Sequence, residues 1–158
     1  MTEPMSGAAR NAKAAARAPS ETLFINPASG LANDYLNLFN EVVMIIEQLP
    51  DMPELFEELL AWRPLSYQDY FARSTLAASG AALEYYERLE PAFRAEFESL
   101  VAELDRVAVG SVVSLRRIYK KAESEPAALS DACVRHGASL RALLARAAHL
   151  VTHRSASA

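Results

Sequence analysis

One run of about thirty residues constrains this chain more than any other feature. It opens at Pro91 and closes at Ser124-Glu125-Pro126, and within it Phe93, Phe97, Leu100, Leu104, Val107, Ser111, Leu115 and Ile118 recur at spacings of three and four. That nearly heptad spacing places all eight side chains on one stripe of an α-helix, and so long a stripe must be buried against other helices. Pro91 suits the first turn, where its missing N–H costs nothing.

The segment from Leu31 to Leu49 has the same character. Leu31, Tyr35, Leu38, Val42, Ile45 and Leu49 keep a helical period, and Leu36, Phe39, Val43 and Ile46 widen the face, which predicts a central helix. The apolar run Val42 to Ile46 lies inside a pattern too long for a strand. Pro50-Asp51-Met52-Pro53 stops the chain and restarts it, with Asp51 as the expected N-cap of a short helix ending near Trp62. Arg63-Pro64 breaks that helix. Ser66 with Asp69 forms a capping-box-like start to a third long helix, expected to run to Leu89 through the small-residue stretch Ser74 to Ala82. The last helix spans Ala127 to His153, with Leu129, Cys133, His136, Leu140, Leu143, Ala147 and Leu150 inward and Arg135, Arg146, His149 and His153 outward. Small residues at the waist of the thirty-residue helix, Gly110, Ser111 and Ser114, admit a close neighbour.

Long amphipathic helices joined by short connections favour antiparallel neighbours, so the expected fold is all-α, an up-and-down helical bundle of four long helices plus one short helix laid across one end. The chain length of 158 residues suits one domain. Residues 1–22 read as a disordered arm containing Ala and Arg, residues 23–154 as the bundle, and residues 155–158 as a flexible tail. An overhang of the thirty-residue helix would favour a dimer.

Charge is divided unevenly. From Glu21 to Asp105 there are 4 Arg against 16 Asp and Glu, a balance of −12, whereas from Arg106 onward 9 Lys and Arg face 3 acids, a balance of +6. The simple reading is that the two halves complement each other within the fold, and the field of the acidic segment disfavours nucleic acid. The single Cys133 excludes an intrachain disulfide, and no stretch approaches the ~18 apolar residues of a membrane span. A cytoplasmic location is expected.

Most chemistries lack their residues. No Glu stands three positions before a His, which removes the di-iron bundle pattern. His149 and His153 have a chelating spacing but no acidic companion, and read as solvated. His136 lies on the apolar stripe, where a histidine is usually a core residue with a partner across the bundle, and Cys133 one turn earlier reads as a small apolar filler. There is no phosphate-cradling glycine loop and no paired Cys motif.

Two features remain. Glu54 with Glu57, and Glu84 with Glu87, are i, i+3 pairs on two expected helices. The arrangement resembles the two acidic pairs of all-α nucleotide pyrophosphohydrolases of the MazG kind, with Glu in place of the final Asp. The resemblance implies four carboxylates holding Mg²⁺ against a nucleoside triphosphate; glutamates so spaced also decorate any solvated helix face. The second feature is a polar set, Asn33, Asp34, Asn37, Asn40 and Glu41, crowding a helix that is otherwise apolar. Asn and Asp are poor helix formers, so the cluster is either a solvent stripe at the helix start or a seam contacting a partner or ligand, with Tyr67, Tyr70 and Arg73 beside it. The chain is therefore expected to be a non-enzymatic interaction or regulatory protein, with a protein partner or self-association and no metal or cofactor. The alternatives are the Mg²⁺-dependent hydrolase and, third, an amphipathic protein binding a granule or membrane surface.

Overall fold

The first helix does not begin where its apolar pattern begins. In the structure, a computed structural model that describes residues 24–74, 78–121 and 124–154, Asn33–Leu36 form a 3₁₀ turn and the α-helix α1 covers Asn37–Gln48. Short polar side chains that compete for the backbone explain the tighter entry turn. The loop before it is fixed by Asn26, whose carbonyl accepts from Gly30 N at 2.7 Å and whose Oδ1 accepts from Ala28 N at 2.9 Å. Gly30 is required there: its φ is +80°, and a Cβ would lie 3.2 Å from the Leu89 side chain.

A 3₁₀ turn at Pro53–Leu55 leads into α2, Phe56–Ala61. Met52, not Asp51, occupies the N-cap position, and no side chain caps the turn. The segment expected as one helix from Ser66 to Leu89 contains two: α3 at Tyr67–Ala72 and α4 at Ser79–Glu87. Ser66 Oγ accepts from Asp69 N at 3.0 Å, so the expected cap is present. α3 ends at Ala72, with Arg73 as its C-cap donating its N–H to the Asp69 carbonyl at 3.0 Å. Thr75, Leu76 and Ala77 lie outside the described residues, as do the expected arm 1–22 and tail 155–158. Two long helices complete the chain, α5 at Pro91–Tyr119 and α6 at Pro126–His153, each with its proline in the first turn.

The all-α bundle is as the sequence predicts, and no strand occurs among the described residues. α5 and α6 run antiparallel: Arg154 past the end of α6 reaches Glu90 before the start of α5 at 2.5 Å, and Ser111 meets His136 midway. α1 runs parallel to α5, with Tyr35 beside Phe97 at their starts. α2 runs back along α1 instead of crossing one end. Its first ring, Phe56, stacks on Tyr119 at 3.8 Å, while Trp62 just beyond it donates from Nε1 to the Leu38 carbonyl at 2.9 Å.

The core is the contact of α1, α5 and α6, where Phe39, Val42, Ile46, Leu104, Leu115, Leu140 and Leu150 are buried. α5 buries Ala108 ahead of Val107, and α6 buries Leu144 ahead of Leu143, because an ideal helix drifts from a strict heptad. Gly110 faces open space and does not mark the close approach; Gly137 does, since a Cβ there would meet Glu47 Cγ at 3.3 Å. No helix among the described residues is long and apolar enough to cross a membrane.

Candidate functional site

Eight rings, from Tyr35, Phe39, Trp62, Tyr67, Tyr70, Phe71, Tyr86 and Phe97, form one cluster that fastens α3 and α4 to the core. Two hydroxyls are anchored to backbone. Tyr35 donates to the Leu65 carbonyl at 2.6 Å, and Tyr67 accepts from Ala32 N at 2.9 Å. Burial pushes the Tyr67 phenol up to about 12 and Tyr35 well above the usual tyrosine range, so both are neutral at physiological pH.

This cluster brings the polar seam together. The 3₁₀ turn and first turn of α1 hold Asn33, Asp34, Asn37, Asn40 and Glu41 along one edge, and α3 presents Tyr67 and Tyr70 to it. Tyr70 is close enough to both Asp34 and Glu41 for their charges to raise its phenol beyond what its burial does. Asn40 Nδ2 reaches Asn37 Oδ1 at 3.5 Å. Desolvation holds the Asp34 carboxyl above the usual range, partly offset by a hydrogen bond from its own backbone N–H. Desolvation raises Glu41 too, and Glu58 of α2 adds to it. Among the described residues neither Asp34 nor Glu41 is in an ion pair, and exposed Arg73 does not bridge to either. Sequence reasoning missed Glu58, because nothing in its own segment shows that α2 runs back along α1.

The other candidates separate. Glu54, Glu57, Glu84 and Glu87 are all exposed, and among the described residues no three His, Cys, Asp or Glu side chains gather closely enough to hold a metal ion. His149 and His153 are exposed with ring centroids 4.5 Å apart. Burial pushes the Cys133 thiol up to about 11, which suppresses the nucleophilic thiolate. His136 bridges two serines of α5, its Nδ1 at 3.0 Å from Ser111 Oγ and its Nε2 at 3.2 Å from Ser114 Oγ. That is a partnered interhelical histidine. The backbone N–H groups around these serines lie within the helix ladder, which leaves no preorganised donors for an oxyanion.

Comparison with known protein families, with curated proteins and with solved structures finds no match.

Proposed function

We propose that the protein is a non-enzymatic interaction module whose polar seam, formed by Asp34, Asn37, Asn40 and Glu41 of the α1 edge with Tyr70 of α3, docks a basic segment of a protein partner. The observation that carries this reading is the pair Asp34 and Glu41: two carboxylates flank the half-buried Tyr70, and among the described residues no cation is paired to either. Leaving the part-buried Asp34 carboxylate unpaired costs free energy in the isolated fold, and exposed Glu41 places a second negative charge beside the same ring. A lysine or arginine from a partner relieves that cost, and an arginine also stacks on the ring. The asparagines supply donors and acceptors that fix register without adding charge.

The test is affinity capture from native lysate with wild-type protein and with the Asp34→Asn, Glu41→Gln double variant. The expected result is a partner carrying a basic segment that is retained by the wild type and lost with the variant. A partner retained equally by both overturns the assignment to this seam.

A further inference from the structure

Residues 64–68, Tyr86 and the first half of α5 line a cavity of about 270 Å³. Its size is at the small end of ligand sites, enough for a few linked heavy atoms. Leu65, Phe97 and Val101 give it apolar walls, and Glu98 and Asp105 bring a carboxylate each. These two acids are seven residues apart on α5, so they sit on the same helix face with a separation along the axis of about 10.5 Å.

Neither acid is in an ion pair among the described residues. Glu98 accepts from the Tyr86 hydroxyl at 2.5 Å and keeps further acceptor capacity. Asp105 Oδ1 is shut away from solvent and has no hydrogen-bond donor among the described residues, so a ligand in the cavity reaches this carboxylate through Oδ2. Arg94 lies over the Tyr86 ring at 5.9 Å and forms no ion pair with either acid.

We propose that this cavity binds a short aliphatic diamine, one ammonium at Glu98 and the other at Asp105, with the methylene chain against Leu65, Phe97 and Val101. A chain of about four to six carbons fits, because two ammonium–carboxylate contacts of about 2.8 Å at the ends of a span of roughly 10 Å leave some 5 to 10 Å between the nitrogens. Desolvation already holds the Asp105 carboxyl above the usual range, so pairing with an ammonium restores its ionised form and affinity rises with pH through that titration. This site is separate from the seam and does not rest on the function proposed for it.

Calorimetric titration with putrescine, and with n-butylamine at the same ionic strength, tests the proposal. Putrescine is expected to bind at least about tenfold more tightly than the monoamine, and Asp105→Asn and Glu98→Gln are each expected to weaken it by about tenfold or more, the worth of one charge-assisted hydrogen bond. Both substitutions preserve shape, and the amide oxygen introduced by Glu98→Gln can still accept from Tyr86; unchanged far-ultraviolet dichroism verifies the fold. Equal binding of the two amines, indifference to both substitutions, or no heat from putrescine at millimolar concentration overturns it.

Discussion

Ser111 and His136 are joined at 3.0 Å across the α5–α6 contact, and the proton on the bond is assigned by the serine's other partner. Ser111 Oγ already donates to the Val107 carbonyl at 2.7 Å, so it accepts from His136 Nδ1–H, and Nε2 is left to accept from Ser114. The neutral imidazole therefore satisfies both serines at once. Burial, and secondarily the positive charge of Arg135, hold the His136 pKa below its ordinary value.

A pH dependence follows with a definite sign. Because the folded pKa is depressed, the unfolded chain takes up the proton first on acidification. The histidine's contribution is fully present above about pH 6.5, the ordinary imidazole value, and is lost as pH falls below that toward the folded pKa. Urea unfolding at pH 7.5 and 5.5 is expected to show a loss for the wild type that is smaller in His136→Gln. An equal change in the two proteins would mean that His136 does not carry it.

Asp105 has the opposite sign. Desolvation raises its folded pKa, so the ionised form is disfavoured in the fold, and stability from this group increases as pH falls through its folded pKa toward the ordinary carboxylate range. Asp105→Asn is expected to be at least as stable as wild type at pH 8 and to lack that acid-side gain. Chemical denaturation of both proteins across pH 8 to 5 measures it; a variant less stable at pH 8 would show that the ionised carboxylate is already well paired.

The helix faces separate core from surface residues. Leu104 and Leu140 are fully buried, so each change to Ala is expected to cost about 2 to 5 kcal/mol, whereas exposed His149→Ala and His153→Ala should stay within about 0.5 kcal/mol of wild type. Equal shifts in urea midpoint for the two sets would place the faces wrongly.

Glycines at three positions respond differently to alanine. Gly110 lies inside α5 with open space around its Cα, so Gly110→Ala should stabilise by about 0.5 to 1 kcal/mol. Gly30→Ala should destabilise, since it meets both a positive φ and the Leu89 side chain. At Gly137 the gain in helix propensity is opposed by displacement of Glu47, which pairs with Arg141 through contacts of 2.5 and 2.7 Å on an exposed surface. That pair is worth about 0.2 to 1 kcal/mol, so a near-zero net change is expected. Thermal melts of the three variants give the order directly.

The long elements are more legible in the sequence than the short ones, for physical reasons. The stripes of α5 and α6 span many turns, and a shift of one position, as from Val107 to Ala108, leaves the buried face unchanged in kind. Pro91 marks the start of α5, and Pro126, which reads in the sequence as the stop of that run, is the first residue of α6. The break after Ala72 is not legible, because Ser, Ala and Gly carry no periodic apolar signal for or against a helix. In the seam, the crowding of Asn and Asp is visible and its nearness to Tyr67 and Tyr70 can be inferred, but Glu58 joins only through the direction of α2, a tertiary fact. Asp105 is hidden by its position next to Leu104, one step from the inward stripe, where an acid reads as the edge of a solvated face.

The seam itself is tested most directly by residue-resolved NMR of isotopically labelled protein titrated with a soluble lysine-rich peptide. Binding through the seam is expected to move the amide signals of Asp34, Asn37, Glu41 and Tyr70 together, to weaken as salt screens the contact, and to vanish in the Asp34→Asn, Glu41→Gln double variant. No shifts at these residues, or shifts that persist unchanged in the double variant, would contradict it.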